Sequence, residues 1–388
     1  MCTSFSNNQQ SALTSLARSK SPIRPAATYH HCTGQSTTRK DTCICSEALP
    51  GRQWPGALRL TLANIRIECW RTLNKANRVT SVWFPDDVSA CTTAAREKQI
   101  HMPVTAIDVH VHIHDPRARE RLGPEAKRRF EQQARYFGRE PRYLPVEEQA
   151  EQYRERNMMA ALMNGTDETI TGLPMVPNDF VAETVAAHPE TFLGFGAIDP
   201  WQGELARQEI RRCKELGLHG IGELNPARQH FYPNDQRFYP LWREAEEQGL
   251  PILFHSGYAA AGSRQPGGGG VKLKYTQPLL LDDVAADFPE LKIICAHPSW
   301  PWTAESLAIA RHKTNFFIDL SGWAPKYFPE ELVQQVNTLL QDKALFGSDA
   351  PSLPFDRWLR EFDELPLKPE VRPKILLENA KRLFGLDV

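Results

Sequence analysis

The sequence predicts an α/β protein in which residues 102–388 form a (β/α)8 TIM barrel and residues 1–101 form a poorly ordered extension. From residue 102 onward, short apolar runs alternate with amphipathic helical patterns, which is the order of βα units. Eight such runs occur, each continuously apolar, as expected for strands buried on both faces of a parallel sheet. The competing fold, a doubly wound open sheet, usually has a glycine-rich turn after its first strand. Here the first strand ends in His110-Val111-His112 instead.

The eight predicted strands are short, and amphipathic segments separate them. The strands cover Thr105–Val111, Met159–Met163, Phe192–Ile198, Gly220–Leu224, Pro251–Phe254, Lys292–Ala296, Phe316–Leu320 and Ala344–Gly347. The predicted helices cover Val146–Arg156, Phe180–His188, Leu205–Leu216, Phe238–Gln248, Asp282–Asp287, Ala304–His312, Glu330–Leu340 and Val371–Phe384. Gly385 directly follows the last helix and is a typical helix stop.

Residues 1–101 differ from the rest of the chain in charge and composition. They contain 13 Lys and Arg against 6 Asp and Glu. Residues 1–40 contain no acid and several Ser and Arg, which is typical of an organellar transit peptide and would imply a mitochondrial protein. We favour a disordered, dispensable extension upstream of a natural start at Met102, with a cytoplasmic mature protein. A zinc site is disfavoured because its candidate ligands do not repeat as spaced pairs: His30, His31, Cys32, Cys43 and Cys45.

Composition excludes several classes of protein. Hydrophobic residues make up 41% and charged residues 24% of the 388 residues, as in ordinary globular proteins. The net charge of −1 argues against a nucleic-acid-binding surface. A membrane span needs about 18 or more consecutive apolar residues, and the sequence has no such run. Cys213 and Cys295 are predicted to pack as small apolar side chains without a disulfide.

Side chains that can bind a metal ion end or follow five of the eight predicted strands. They are His110, His112, Glu223, His255, His297 and Asp349. In a barrel these strand ends meet at one face, where active sites lie. His110 and His112 are two residues apart in a strand, so their side chains point the same way. Imidazole and carboxylate ligands suit Zn²⁺, Mn²⁺ or Fe²⁺, and such an ion lowers the pKa of its bound water to about 7.

Each of these residues alone also has an ordinary structural interpretation. A histidine after a strand is commonly a hydrogen-bonded structural group, and Glu223 could pair with an arginine. Asp349, followed by Ala350-Pro351, could cap a helix. Their joint occurrence at five strand ends favours a metal site.

With His110-Val111-His112, His255, His297 and Asp349 in these positions, the sequence resembles the amidohydrolase superfamily. The signature of that superfamily is His-x-His on strand one, His after strands five and six, and Asp after strand eight. It is similar to the amidohydrolase-related branch that includes aminocarboxymuconate-semialdehyde decarboxylase and related decarboxylases, hydratases and hydrolases. Residues 250–386 look most like bacterial 4-hydroxyphenyl-β-ketoacyl-CoA hydrolases. The segments that carry this likeness are Gly267–Tyr275, Ala296–Trp302, Asp319–Trp323, Pro325–Pro329 and Leu345–Asp349.

The resemblance implies a set of ligands and roles. His110, His112, His255 and Asp349 would bind the metal, most commonly Zn²⁺. His297 would be an acid or base beside one ion, or a ligand of a second. The carboxylated lysine of the superfamily is absent after strand four, where Glu223 stands instead. One ion is the default expectation, and a pair bridged by Glu223 is the alternative.

Three hypotheses about function remain open at this stage. The first is hydrolysis of a thioester, C–C, ester or amide bond in a small organic acid or aromatic catabolite. Asp349 would then move the proton of the attacking water, and His297 would stabilise the developing oxyanion. The second is a carboxy-lyase or hydratase that uses the same ligands. The third is a barrel whose metal is only structural, although structural zinc sites are usually closed by four Cys or His ligands.

Other residues are candidates for binding a small-molecule substrate. They are Arg264, Lys272, Lys274, Trp300 and Trp323, with Arg228, Trp302 and Tyr327 as further wall or anion-binding candidates. Asp108, His114 and His230 are predicted to support the metal ligands from behind. No nucleic-acid or membrane partner is expected, and the resemblance implies a homo-oligomer.

Overall fold

The structure is a computed structural model that describes residues 103–165 and 168–388. The predicted extension, its transit-peptide and start-site interpretations and the cysteine-histidine cluster all lie outside these residues. Within them, no helix combines the length and the apolar character that a bilayer crossing requires.

The eight predicted strands all form, and they pair in parallel in chain order. They are β1 Ala106–His112, β2 Met158–Met163, β3 Phe192–Gly196, β4 Gly220–Leu224, β5 Ile252–His255, β6 Ile293–Ala296, β7 Phe316–Asp319 and β8 Ala344–Leu345. The chain after β8 returns to β1, where Val109 N donates to Phe346 O (2.9 Å) and Asp349 N donates to His110 O (2.9 Å). Val111 and Ala350 add a parallel bridge, so the sheet closes into a (β/α)8 barrel and the open-sheet alternative is wrong.

Helices surround the barrel in the order expected for βα units. They are α1 Pro116–Arg121, α2 Gly123–Tyr136, α3 Val146–Arg154, α4 Glu168–Thr171, α5 Asn178–Ala187, α6 Glu204–Glu215, α7 Pro226–Gln229, α8 Tyr239–Glu247, α9 Leu279–Asp287, α10 Thr303–His312, α11 Glu330–Val336, α12 Phe355–Asp363, α13 Val371–Pro373 and α14 Asn379–Phe384. A π-helical turn, Lys374–Glu378, joins α13 to α14, and Gly385 ends α14 with a φ of 66°. Short 3₁₀ turns lie at Pro200–Gln202, Gln236–Phe238, Pro266–Gly270, Leu273–Tyr275 and Pro325–Tyr327.

Five helices, α1, α2, α4, α7 and α12, were not predicted from the sequence, and α11 is shorter than predicted. Helix α2 carries Ala126, Phe130 and Ala134 at helical spacing, but only Ala126 is buried, and all three line a cavity instead of packing into the core. Its residues include Phe130 and Tyr136, which line the cavity described below. The predicted helix to Leu340 ends at Val336 in the structure, and turns complete the segment.

The core has two parts separated by the wall of the barrel. Ile107, Val109 and Ile294 belong to one cluster of fully buried side chains, and Trp242 and Trp358 belong to a larger one with the helices. A fully buried large apolar side chain contributes about 1.5–3 kcal/mol relative to exposure. The buried strands therefore form a rigid platform whose carboxyl ends hold the polar residues.

Candidate metal centre

A cavity of about 810 Å³ opens at the carboxyl ends of the strands. Its wall includes five of the six predicted strand-end residues, namely His112, Glu223, His255, His297 and Asp349. The sixth, His110, is fully buried directly behind His112. The closed barrel thus brings residues that are up to 239 positions apart in sequence to one place, as predicted from the strand ends.

The first group of ligand-type atoms is formed by His110, His112 and Glu223, whose candidate atoms all lie within 4.8 Å of one another. His110 Nε2 is 3.2 Å from His112 Nε2. His112 Nε2 is in turn 3.2 Å from Asp349 Oδ1 and 3.7 Å from Glu223 Oε2. Two imidazoles and two carboxylates therefore converge on one small volume.

The second group consists of Glu223, His255 and His297, again with candidate atoms within 4.8 Å. His255 Nδ1 lies 2.7 Å from Glu223 Oε1 and 3.0 Å from His297 Nε2. His297 Nε2 is 3.6 Å from the same carboxylate oxygen. His255 was expected beside His110 and His112, but it groups with His297 instead. Glu223 belongs to both groups, with one oxygen towards each.

Burial and the neighbouring charges shift the pKa of His110 and of the two carboxylates. Burial alone lowers the pKa of His110, but Asp319, Glu223 and Asp349 outweigh it and raise that pKa to about 10. Burial raises the pKa of Glu223 and of Asp349, yet the surrounding histidines hold both below their usual values. Both carboxylates are therefore ionised at neutral pH, and a positive charge between them would stabilise them.

The pKa values of His255 and His297 are shifted in opposite directions. Burial dominates at His255 and lowers its pKa, although Glu223 acts in the opposite direction. At His297 burial is again the largest effect and lowers the pKa, but the hydrogen bond to Glu223 and the charges of Glu223 and Asp349 together outweigh it, so the pKa is raised. Of the two, His297 is the one that retains a proton more readily.

The donor set fits a divalent metal ion. His110 Nδ1 lies 2.7 Å from Asp319 Oδ2 and donates its proton to that carboxylate, so Nε2, which faces His112, is the atom that would bind a metal ion in exchange for its proton. Among the described residues, His255 Nε2 is buried without a hydrogen-bond partner. Imidazole nitrogens and ionised carboxylates are the ligands that Zn²⁺ and Mn²⁺ bind, and among the described residues no lysine or arginine forms an ion pair with Glu223 or Asp349.

Asp319 and Ser321, at the end of β7, support this cluster and were missed by the sequence analysis. Ser321 Oγ lies 2.7 Å from Asp319 Oδ2, 3.1 Å from His110 Nδ1 and 3.0 Å from His297 Nδ1. Asp319 and Ser321 therefore orient His110 of the first group and His297 of the second. The sequence did contain one indication of this role: Asp319 is the last residue of a buried strand, and the six predicted residues also lie at or just after strand ends.

Two glycines leave room for these supporting contacts. A Cβ on Gly322 would lie 2.5 Å from His297 Nδ1, and a Cβ on Gly347 would lie 2.0 Å from Asp319 Oδ1. Gly322 also has a φ of 73°, which side chains other than glycine rarely adopt. Any larger residue at either position would displace a histidine or its partner.

Asp108 lies behind the first group, as predicted, and ties β1 to the chain after β8. It accepts hydrogen bonds from Tyr153 Oη (2.7 Å), Ser348 N (2.8 Å) and Ser348 Oγ (2.5 Å). Burial raises the pKa of Asp108 to about 6, against the opposing effect of these bonds. Because Asp108 precedes His110 by two residues and Ser348 precedes Asp349 by one, this network fixes the backbone that carries both.

His297 and Asp349 have left-handed backbone conformations, with φ of 72° and 65°. For residues other than glycine this costs about 1–3 kcal/mol and is concentrated at functional sites. Both residues follow a strand end, and the left-handed turn directs each side chain towards the cluster.

The remaining candidates are divided between the cavity and its surroundings. Trp323, Tyr327, His114 and Arg228 belong to the cavity wall. Four of the predicted substrate-binding residues fall outside that wall as the described residues form it: Arg264, Lys272, Lys274 and Trp300. Trp302 also lies outside the wall.

The residues outside the wall have other neighbours. Arg264 stacks over the Tyr136 ring at 5.4 Å, and Lys274 lies over Tyr275 at 4.9 Å. His230 Nε2 is 2.7 Å from Gly270 O, so it supports the loop after β5 rather than a metal ligand. Sequence spacing could not show this because these residues lie on irregular segments.

The closed barrel and its cluster of histidines and carboxylates define a metal-dependent (β/α)8 enzyme. The Amidohydrolase family model matches residues 107–386, and the chain belongs to this family. The resemblance inferred from the strand-end residues is therefore confirmed at the level of the family.

Two curated relatives are decarboxylases. The chain is 25% identical over 250 residues to gamma-resorcylate decarboxylase of Polaromonas sp. strain JS666, which covers 54% of this chain and 75% of that protein. It is 25% identical over 252 residues to 2-amino-3-carboxymuconate-6-semialdehyde decarboxylase of Dictyostelium discoideum, covering 54% and 66%. The relatives thus match the lyase alternative better than the hydrolase hypothesis that the sequence analysis put first.

Solved structures share the fold. An uncharacterized TIM-barrel protein from Bordetella bronchiseptica has 25% identity and a TM-score of 0.57, covering 72% of this chain and 98% of its own. A dihydroxybenzoic acid decarboxylase from Polaromonas sp. JS666, solved with bound manganese, has 20% identity and a TM-score of 0.50, covering 74% and 98%.

Proposed function

We propose that this protein is a metal-dependent, non-oxidative decarboxylase of a small aromatic or enolic carboxylic acid. The observation that carries the proposal is the position of His297, a buried histidine with a raised pKa at the edge of a carboxylate-rich metal site. The decarboxylase activities of the curated relatives support the same reaction class.

The ion would be held by His110 and His112 with Asp349, and Glu223 lies within reach of the same position. When bound, a divalent ion polarises the carboxylate of the substrate and a neighbouring hydroxyl or enol oxygen. Glu223, His255 and His297 are buried, and a buried environment strengthens the electrostatic interactions among them.

His297 would protonate the carbon that carries the carboxylate. Its Nδ1 donates to Ser321 Oγ, which donates to Asp319, so the transferable proton is on Nε2, the atom that faces Glu223 and His255. The carbon gains this proton, the C–C bond to the carboxylate breaks with its electron pair returned to the ring or enol, and CO₂ leaves. A proton from solvent then restores His297.

The direct test is CO₂ release by the purified full-length protein. We expect release from at least one member of a panel that includes 2,6-dihydroxybenzoate and other hydroxybenzoates, loss of that activity after dialysis against a chelator, and its recovery with Mn²⁺ or Zn²⁺. Turnover of thioesters, lactones or amides without CO₂ release would contradict the proposal and restore the hydrolase hypothesis.

Hydrolysis is the second candidate because Glu223 contacts both histidine groups. Two ions that share one carboxylate are an arrangement used to activate water for hydrolysis. In that case His255 and His297 would be ligands, and His297 could not act as the proton donor. A thioester of an aromatic acid is among the substrates that this arrangement would suit.

The number of metal ions bound per chain distinguishes the decarboxylase from the hydrolase. We expect one ion per chain in the native protein and in Glu223→Gln, because His110, His112 and Asp349 suffice for one position. The comparison variant His112→Ala should lose the ion. Elemental analysis after gel filtration is the measurement, and two ions per chain that fall to one or none in Glu223→Gln would favour the hydrolase.

A further inference from the structure

Four aromatic side chains form a continuous arc beside the cavity, which we call the aromatic rim: Tyr136, Tyr258, Trp300 and Trp323. Tyr136 ends α2, and the other three follow β5, β6 and β7 in turn. Tyr136 Oη lies 2.8 Å from Tyr258 Oη. The ring centroids of Tyr258 and Trp300 are 5.9 Å apart, and those of Trp300 and Trp323 are 6.1 Å apart. These centroid distances are typical of contacting aromatic pairs, so the rim is one surface.

Hydrogen bonds hold the rim in place. Tyr258 N donates to Trp300 O at 2.7 Å, which joins the chain after β5 to the chain after β6. The hydroxyl of Tyr258 lies between those of Tyr136 and Ser263, and its distance to Ser263 Oγ is 2.5 Å. The rings are therefore fixed by the folded chain itself, as in most preformed ligand pockets.

The rim begins next to the metal centre. Trp323 directly follows Gly322, where an added Cβ would lie 2.5 Å from His297 Nδ1. Ser321, one residue earlier, places its Oγ 3.0 Å from the same nitrogen. Trp323 is thus only one residue away from the backbone that packs on the proposed proton donor, and it lines the same cavity.

The cavity is larger than a single-ring acid requires. Its volume is about 810 Å³, and pockets of about 300–1,000 Å³ hold drug-sized ligands. Further aromatic side chains belong to its wall, among them Phe130, Phe137 and Tyr327. A one-ring acid bound at the metal centre would leave much of this aromatic surface uncovered.

Part of the aromatic surface is exposed to solvent. Trp300 is 50% exposed and Tyr327 is 60% exposed, although both have large apolar rings. A scattered exposed aromatic residue needs no explanation, but Trp300 contacts two other members of the rim. Covering such a surface with an apolar group of the ligand would be favourable in proportion to the area removed from water.

We propose that the aromatic rim binds a second ring of the substrate, so that the substrate is a two-ring aromatic carboxylic acid whose carboxylate is removed at the metal centre. The inference rests on the proposed function, since it assumes a carboxylic-acid substrate that reacts beside His297. It makes Trp323 a specificity-determining residue, because this side chain lies between the reacting end and the rest of the rim. A ring is the favoured occupant because aromatic pairs gain energy beyond the burial of their area.

Binding of simple probes tests the rim without turnover. Isothermal titration calorimetry on the metal-loaded full-length protein would compare benzoate with 2-naphthoate, biphenyl-3-carboxylate and biphenyl-4-carboxylate, which place the second ring differently. We expect at least one two-ring acid to bind about 10-fold or more tightly than benzoate, because the second ring is buried against the rim. In Trp323→Leu the affinities for that acid and for benzoate should come within about threefold of each other.

Trp300→Leu is a second test variant, since the half-exposed Trp300 contributes little to folding, and it should reduce the gain in part. Tyr232→Leu is the matched control. Tyr232 is also an exposed aromatic residue, but it lies outside the cavity wall as the described residues form it. This control should keep the full preference for the two-ring acid, and thermal melting of all variants should show intact folding.

Two results would overturn the inference. One is that no two-ring acid binds more tightly than benzoate. The other is that the gain survives in both Trp323→Leu and Trp300→Leu, which would mean that the second ring binds elsewhere. Neither result depends on CO₂ release, so the decarboxylase assignment could stand without the rim. A preference for two-ring acids in a protein that releases no CO₂ would instead retain the rim and remove the decarboxylase assignment.

Discussion

Replacing His297 by Gln is expected to lower kcat for CO₂ release by about 10²–10⁴-fold, the usual loss when a general acid is removed. The substitution keeps a polar side chain of similar length but removes the transferable proton of Nε2. Stopped-flow or coupled CO₂ assays on the best acid of the panel would measure it, with metal analysis in parallel. In the one-ion arrangement, metal content should not change.

His230→Gln serves as the comparison for this substitution. His230 is hydrogen-bonded to Gly270 O and lies outside the cavity wall, so its replacement should leave kcat within a few-fold of the native value. A His297→Gln variant that loses metal together with activity would show that His297 is a ligand. A variant that retains both would remove His297 from the reaction altogether.

Replacing Asp319 by Asn is expected to weaken metal binding by about 10–100-fold, the typical cost of losing a carboxylate behind a metal-binding histidine. Asp319 Oδ2 lies 2.7 Å from His110 Nδ1, and its charge is the largest influence that raises the pKa of His110. Asn keeps the shape and one oxygen acceptor, but it lacks the charge that makes His110 a stronger ligand. Competition with a chromogenic chelator would give the affinity.

Asp287→Asn is a suitable control for the Asp319 variant. Asp287 accepts a hydrogen bond from Tyr239 Oη at the protein surface, on a helix outside the barrel. Its replacement should not alter metal affinity. Unchanged affinity in Asp319→Asn as well would mean that His110 does not depend on Asp319 for its orientation or its basicity.

The fold was predictable because its signal is local. Each strand is a short, continuously apolar run, and this pattern can be recognised in the sequence without knowing which strands pair. The boundaries were right to within two residues for every strand, as at β3, predicted as Phe192–Ile198 and observed as Phe192–Gly196. Helix α2 was missed although Ala126, Phe130 and Ala134 lie at helical spacing, because most of its other residues are charged or polar and its apolar side lines the cavity instead of the core.

The members of the site were also predictable, but their grouping was not. His110, His112, Glu223, His255, His297 and Asp349 all end or follow strands, and parallel strands necessarily bring such positions to one face. Which of them share an ion depends on side-chain directions, and only the structure groups His255 with His297 through Glu223. Asp319 and Ser321 escaped notice because their role consists of contacts with histidines far away in sequence.

The sequence by itself determined the barrel, the face that carries the chemistry and the kinds of atoms found there, since periodicity and strand-end position are properties of neighbouring residues. Tertiary structure alone decided which charges are compensated. Arg142 and Arg119 look alike in the sequence, yet the first meets Glu148 and the second meets none among the described residues. Electrostatic pairing depends on distances of a few ångströms between remote segments, and no local pattern encodes those distances.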